Sequence, residues 1–391
     1  MTSSRIERLA FSPDAVRAWG GLDARHRNWP VVYTIDGGDE IYVGETANAR
    51  SRMEQHLATS KSRLARVRVV VDATFNKSAC LDLESHLIRW LSGDGAYRVL
   101  NRNEGMTDAD YFDRERYLGT FREVFEELRA DGVFTRDIAQ IENDDLFKLS
   151  PFKALTDDQA VAVEVIVDGL LEDLAAGGES VDVIQGEPGT GKTIVAIYLM
   201  KLLCDIRDSS PDDLVDADSR FSEYFVADNR ERLQSLRVGL VVPQQSLRKS
   251  IQRVFRRTPG LDPASVLSTF DVGKHAERFD LLIVDEAHRL GQRANQSSGV
   301  KNREFQAINE ALFGVDDASR TQLDWIIAQG RHVLLLLDAE QSVRPADLPR
   351  EVLRGVTTRA RAEHRLHPLV SQMRVRAGSD YVGYVRDVLR D

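Results

Sequence analysis

The chain has 391 residues, of which 42% are hydrophobic and 29% are charged, and its formal net charge at pH 7 is −10. These proportions are typical of a folded globular protein, and the length predicts two or three domains. The sequence shows neither an apolar run of membrane-spanning length nor the apolar core of a signal peptide, so we expect a cytoplasmic protein with no membrane partner.

The charge is unevenly distributed along the chain. Residues 1–105 contain 15 Lys and Arg against 13 Asp and Glu, whereas the remainder contains 37 against 49. Because local patches rather than the total charge decide phosphate attraction, the acidic total does not exclude a nucleic-acid partner. The basic run from Lys61 to Arg68 is either part of such a patch or an ordinary solvated face.

The first segment alternates short β-branched runs with helical patterns. Asp36-Gly37-Gly38 lies between two such runs and is a hairpin signal. The predicted elements are strands at 31–35, 41–43 and 67–71 and helices at 47–57 and 81–91.

Six residues of this segment occur in the order and at the spacing of a GIY-YIG endonuclease, which residues 31–103 resemble. Val31 and Val32 replace the Gly-Ile of the family's first motif. Arg52 and His56 are four residues apart and therefore share one face of a helix. The six candidate catalytic residues are Tyr33, Tyr42, Arg52, His56, Glu84 and Asn101.

Phosphodiester cleavage explains these residue types. The pentavalent phosphorus needs a fixed cation, which Arg52 can provide, and a metal ion held by a carboxylate, which Glu84 can provide. The resemblance implies that Tyr33 acts as the base, with Tyr42 or His56 assisting.

A helical pattern with regularly spaced aromatic residues follows, and we interpret residues 106–150 as a helical linker whose apolar face packs between two domains. Proline disfavours a helix through the preceding residue, which predicts a boundary near Ser150-Pro151.

From residue 151 onward, continuous apolar runs alternate with helical patterns, which predicts a three-layer α/β domain with a parallel sheet. The first run leads into GEPGTGKT, a phosphate-loop pattern. Its glycines free backbone N–H groups to face a phosphate, Lys192 can reach the β and γ oxygens, and Thr193 can bind Mg²⁺. The nucleotide-binding candidates here are Gly186, Gly189, Gly191, Lys192 and Thr193.

A second apolar run ends in Asp285-Glu286. Acidic side chains at the carboxyl end of a parallel strand can hold Mg²⁺ and polarise the attacking water. We therefore expect Asp285 to bind the metal and Glu286 to act as the general base.

Residues 151–391 resemble a superfamily 1 helicase-type ATPase. The resemblance implies an adenine-reading role for Gln159, γ-phosphate sensing for Gln341, and a γ-phosphate contact for Arg374. It also implies that Ser246, Arg248 and Lys249 contact a nucleic-acid strand. The chain stops soon after Arg374, so we expect most of a second motor domain to be missing and ATP hydrolysis by this chain to be slow.

The predicted fold class is α/β, with a small GIY-YIG nuclease domain (1–105), the helical linker (106–150) and a RecA-like P-loop domain (151–391). The layout resembles bacterial helicase-domain proteins with an N-terminal nuclease module, a group associated with defence against foreign DNA, which implies possible partner proteins of a defence system.

The sequence predicts an ATP-dependent DNA endonuclease with ATP and Mg²⁺ as cofactors. One alternative is an ATP-controlled switch in which the nuclease fold only clamps nucleic acid. The other is an RNA-directed nuclease, since neither module reveals a 2′-hydroxyl contact.

Overall fold

A computed structural model describes residues 4–102, 110–209, 220–293, 299–338 and 346–371. Its contacts divide the chain into two compact units. The first comprises Met1–Ala154, Lys201–Arg230 and Ser250–Pro263, and the second comprises Leu155–Met200, Glu231–Lys249 and Ala264–Asp391. The predicted boundaries at residues 105 and 150 remain predictions.

The first unit is built on a five-stranded sheet. Its strands are β1 (Ser4–Ala10), β2 (Val31–Gly37), β3 (Glu40–Thr46), β4 (Arg66–Asp72) and β5 (Arg98–Val99), in the order β1-β4-β2-β3-β5. All neighbours are antiparallel except β3 and β5, which are parallel. The two central candidates for catalysis, Tyr33 and Tyr42, therefore lie on adjacent strands of one hairpin.

Helices cover both faces of this sheet because successive strand residues point to opposite sides. On one face Tyr33 and Val69 pack in a core with Val16 and Met53. The helices of this unit within residues 1–154 are α1 (Pro13–Trp19), α2 (Ala49–Leu57), α3 (Lys77–Asp94), α4 (Arg114–Ala130), α5 (Ile138–Asn143) and α6 (Asp145–Lys148).

The other face carries α3 and the aromatic side of α4. Val32 and Val70 belong to the same core as Leu83 of α3 and Phe121 and Phe125 of α4. The apolar spacing in the predicted linker therefore corresponds to a helix that buries Tyr117, Phe121, Val124, Phe125 and Leu128 in the first unit.

The second unit contains a six-stranded, all-parallel sheet in the order β11-β6-β10-β9-β7-β8. Its strands are β6 (Ser180–Gly186), β7 (Val238–Val241), β8 (Val266–Leu267), β9 (Phe279–Val284), β10 (Gly330–Leu337) and β11 (Leu366–Leu369). The continuous apolar runs in this part of the sequence form β6, β7, β9 and β10. Such runs are expected where both faces of a parallel strand are covered by helices.

The helices that follow residue 154 are α7 (Asp157–Ala176), α8 (Lys192–Arg207), α9 (Ala227–Gln234), α10 (Gln245–Arg257), α11 (Thr269–Lys274), α12 (Gly299–Phe313), α13 (Gln322–Gln329) and α14 (Arg350–Ala362). The α/β fold class, with a small nuclease domain followed by a RecA-like parallel sheet, is confirmed. Within the described residues, none of the helices has the length and apolar character needed to cross a membrane.

Ion pairs hold β11 at the edge of the parallel sheet. Arg365, just before this strand, contacts Asp182 at 3.0 Å and Asp173 at 2.8 Å, and His367 Nε2 lies 3.0 Å from Asp182. Asp182 belongs to β6, which pairs with β11 through only four residue pairs. These contacts strengthen a short strand beside the strand that carries the phosphate loop.

Candidate active sites

The β2–β3 hairpin sets the position of Tyr33 in the first unit. Tyr33 is fully buried and pairs across the hairpin with Gly44. A Cβ atom at Gly44 would collide with the Tyr33 hydroxyl and ring, so only glycine leaves room for the phenol. The small residue in the sequence YVGET is thus required by the tyrosine opposite it.

His56 of α2 joins the two tyrosines. Tyr33 Oη lies 2.8 Å from His56 Nε2, and the Tyr42 ring meets the His56 ring edge-on at a centroid distance of 5.0 Å. Burial lowers the pKa of His56 to about 3, with Lys61 and Arg52 adding to the effect. His56 is therefore neutral at pH 7, and Nε2 can accept the proton that Tyr33 donates.

Arg52 lies on the same face of α2, one turn before His56. It is half-buried and hydrogen-bonds to the hydroxyls of both Tyr33 and Tyr42. Burial raises the pKa of both tyrosines, and Arg52 opposes that rise. A guanidinium fixed beside two hydroxyl groups is suited to a phosphate oxygen because it presents several N–H donors in one plane.

Glu84 of α3 lies beside Glu45 of β3, and the Glu45 backbone N–H donates to its carboxylate. Burial raises the pKa of Glu84 to about 8, the negative charge of Glu45 adds to the rise, and Lys77 and Arg52 oppose it. Glu45 pairs with Lys77 through Oε1, while its Oε2 is buried without a hydrogen-bond partner among the described residues. Without a cation Glu84 is therefore largely protonated at pH 7. A divalent cation would favour its ionised form and would also satisfy the buried Glu45 oxygen.

Asn101 is fixed against the hairpin. Its Nδ2 donates to Val43 O at 2.8 Å, and its Oδ1 accepts from Val43 N at 3.0 Å. The side chain is buried, and both its amide nitrogen and its amide oxygen bond to the backbone of the same residue of β3. The structure therefore places Asn101 where it holds the strand between Tyr42 and Gly44.

The phosphate loop of the second unit connects β6 to α8. Gly189 and Gly191 have φ of 91° and 79°, a region that other residues rarely adopt. Lys192 Nζ donates to Gly186 O at 2.7 Å and to Glu187 O at 3.0 Å. The ammonium thus lies over the curled loop, where a nucleotide phosphate is expected to bind.

The predicted magnesium ligands meet at the carboxyl edge of the parallel sheet. Thr193 Oγ1 donates to Asp285 Oδ2 at 2.8 Å. Burial raises the pKa of Asp285 to about 6, and the neighbouring Glu286 contributes to the rise. Gln159 of α7 is also buried here, donating to Thr190 O at 2.7 Å and accepting from Thr156 N at 3.0 Å.

Glu286 adopts φ of 51° just after β9. Its carboxylate lies 3.2 Å from His288 Nε2 and 2.9 Å from Arg289 Nε. The neighbouring His288 ring lowers the pKa of Glu286 to about 2, and Arg289 adds to the effect. Glu286 is therefore ionised at neutral pH, which gives it the charge to orient a water molecule.

The described residues contain no group of three or more His, Cys, Asp or Glu side chains that could hold a metal ion alone. Both candidate cation sites consist of few protein oxygens. This donor set fits Mg²⁺, which keeps several waters and is usually completed by substrate phosphates.

Two predicted nucleotide contacts, Gln341 and Arg374, lie outside the described residues. Conversely, sequence reasoning assigned no role to Glu45 or His288. His288 is fully buried and its Nδ1 accepts from Asp338 N at 3.3 Å, so it connects the end of β9 to the end of β10. In the sequence, only its position two residues after Glu286 indicated that His288 belongs to this site.

Comparison with known protein families shows which families contain these two sites. The family model "Schlafen group 3, DNA/RNA helicase domain" matches residues 179–391, more than half of the chain. The chain belongs to this Schlafen group 3 family. A second family model, "GIY-YIG catalytic domain", matches residues 31–96. No curated protein matches the chain.

The Schlafen group 3 match and the GIY-YIG match confirm the predicted fusion of a nuclease domain with a helicase-like domain. They support an enzyme with endonuclease activity and imply a nucleic-acid substrate. Most residues of the two sites lie within the matched segments, whereas Asn101 and Gln159 lie outside them.

Proposed function

We propose that this protein is an ATP-dependent DNA endonuclease whose GIY-YIG domain cleaves the phosphodiester. The observation that carries the proposal is the convergence of Tyr33, Arg52 and His56, with Glu84 near enough for the Arg52 charge to lower its pKa. A general acid–base pair, a fixed cation and a metal-binding carboxylate are the components that phosphodiester hydrolysis requires.

The geometry supports a proton relay. Tyr33 takes a proton from the attacking water while it donates its own hydroxyl proton to His56, so the phenol never has to ionise. The pKa of His56 is low before the phosphate binds, and the negative charge that develops on the phosphorane would stabilise the imidazolium. Arg52 offers its N–H groups to the phosphorane oxygens. A divalent cation held by Glu84, with Glu45 beside it, would supply Lewis-acid stabilisation of the same charge.

For the helicase-like domain, we infer that Lys192 binds the nucleotide phosphates and that Thr193 and Asp285 hold Mg²⁺. The short Thr193–Asp285 hydrogen bond and the Lys192 position over the loop support this assignment. Glu286 would orient the attacking water, and Gln159, Gln341 and Arg374 would contact the nucleotide. ATP binding or hydrolysis would license cleavage along the DNA.

The proposal is tested with supercoiled plasmid and Mg²⁺, with and without ATP. We expect nicking that ATP stimulates. Arg52→Ala should lower the cleavage rate about a hundredfold or more, because it removes a transition-state contact. Arg17→Ala is the matched control, since Arg17 is exposed on α1 of the same unit.

Three results would redirect the proposal. Cleavage of RNA but not DNA would favour the RNA-directed nuclease. Binding of DNA without cleavage by the folded wild type would favour the ATP-controlled switch. If ATP does not change the cleavage rate of either the wild type or Lys192→Ala, the nuclease assignment stands and the ATP dependence is rejected.

We further propose a cytoplasmic role in defence against foreign DNA, with partner proteins of a defence system. This proposal is supported by the combination of nuclease and helicase-like domains. Comparing phage infection of bacteria that express the wild type or Arg52→Ala tests it: equal plaque counts across a phage panel would argue against the role.

A further inference from the structure

Lys61 lies at the nuclease site, although the proposed mechanism gives it no role. Its ammonium lies 3.8 Å from the centre of the Tyr42 ring. Tyr42 in turn contacts His56 edge-on and hydrogen-bonds to Arg52. Lys61 and Arg52 thus both reach Tyr42, Arg52 from α2 and Lys61 from the turn after it.

The backbone around Lys61 is fixed. Lys61 belongs to a short 3-10 turn, Ser60–Arg63, that follows α2. Thr59 Oγ1 donates to His56 O at 2.9 Å and accepts from Lys61 N at 3.3 Å. Leu64 is buried in the core, and its N–H donates to Lys61 O at 3.0 Å. The turn therefore carries Lys61 to the tyrosine ring as a consequence of local hydrogen bonds and packing.

The charges around the site favour an anionic ligand. His56 is neutral, and both tyrosines keep their protons at neutral pH because burial raises their pKa values. The positive charges of Lys61 and Arg52 both act on His56, and that of Arg52 also acts on the two tyrosine hydroxyls. The phosphorane carries more negative charge than one guanidinium neutralises, so a second protein cation beside Arg52 stabilises it further, in addition to the divalent cation proposed at Glu84.

We propose that Lys61 is a second phosphate-binding cation of the nuclease site and contacts the phosphate of the DNA strand that is cleaved. The Tyr42 ring holds the ammonium at the site, and the flexible lysine stem leaves it free to turn towards a phosphate bound there. This inference rests on the nuclease function proposed above and adds a substrate contact to it.

The test compares Lys61→Met, which keeps the side-chain length, with Lys61→Arg, which keeps the charge. We expect Lys61→Met to lower the single-turnover cleavage rate at least about tenfold and Lys61→Arg to restore most of it. Arg63→Met is the matched control: Arg63 lies in the same turn, half exposed and paired with Glu40 at 2.7 Å, and its loss should leave the rate unchanged.

A second measurement does not depend on cleavage. Loss of one phosphate contact should reduce the slope of log binding constant against log salt concentration by about 0.9 for duplex DNA. A Lys61→Met protein with the wild-type rate and salt slope would overturn the proposal. If the wild type binds DNA but cleaves nothing, the nuclease function fails, and the salt slope alone still decides whether Lys61 contacts phosphate.

Discussion

Burial determines the protonation state of His56, and this has a consequence for stability. Its pKa falls from 6.5 to about 3 in the folded chain. Between these values the unfolded chain binds more protons than the folded chain, so the free energy of unfolding decreases as pH falls through 6.5. The cleavage rate should show no inflection from His56 near pH 6.5.

We therefore expect acid to lower the melting temperature of the wild type more than that of His56→Gln. Thermal denaturation of both proteins from pH 7.5 to pH 4.5 measures the difference, followed through a probe in the first unit. Parallel curves over this range would contradict the assignment of a buried, neutral imidazole.

Lys192 is the residue on which nucleotide binding most depends. Lys192→Ala removes the ammonium that lies over the loop, and we expect ATP to bind about a hundredfold more weakly or worse. Calorimetric titration with ATP and Mg²⁺ measures this change. Lys274→Ala serves as the control because Lys274 is exposed and pairs with Glu304. Equal affinity of all three proteins would exclude the phosphate-loop assignment.

At the scale of elements, the β2–β3 hairpin depends on Gly44. Gly44→Ala places a methyl group against the buried Tyr33 ring, so we expect a lower melting temperature and loss of cleavage. Gly119→Ala is the control: nothing lies within 4 Å of its added Cβ, and alanine favours a helix by about 0.5–1 kcal/mol. A Gly44→Ala protein that melts and cleaves as wild type would refute the steric argument.

Elements with a strong hydrophobic pattern could be predicted from the sequence. Strands β2, β3, β4, β6, β7, β9 and β10 and helices α2 and α3 occur where the sequence predicted them, although helix α2 begins two residues later and helix α3 four residues earlier than expected. Strand β1 could not be predicted because SRIERLA buries only Ile6, and its charged residues form ion pairs such as Arg8 with Asp131. Strand β11 contains a proline and only four residues.

The candidate sites were predictable where a motif links residue type to chemistry. Tyr33, Arg52 and His56 meet as their spacing suggested, as do Thr193 and Asp285. The places of Glu45 and Lys61 in the site could not be predicted, because they depend on contacts with residues distant in sequence. Glu45 lies beside Glu84, and Lys61 lies over the Tyr42 ring. A charged side chain alone more often indicates a solvated face.

At the scale of the whole molecule, the proposal couples the nucleotide to DNA cleavage, and of ATP binding and hydrolysis we expect hydrolysis to be the step that licenses cleavage. Glu286→Gln keeps the shape of the side chain but removes its charge, so we expect ATP to bind normally and hydrolysis to stop. ATP-stimulated plasmid cleavage should then be lost, while cleavage without ATP remains. If the folded variant releases phosphate from ATP as fast as the wild type, Glu286 is not the general base of hydrolysis.

The edge position of β11 bears on how the protein resists self-association. β11 covers one side of β6 with four residues, anchored by Arg365 and His367 to Asp182. Without that cover, β6 would expose unpaired N–H and C=O groups along an apolar strand, which is a template for pairing with other chains. By pairing with β6, these few residues cover the backbone groups of the strand that leads into the phosphate loop, and so oppose aggregation through that strand.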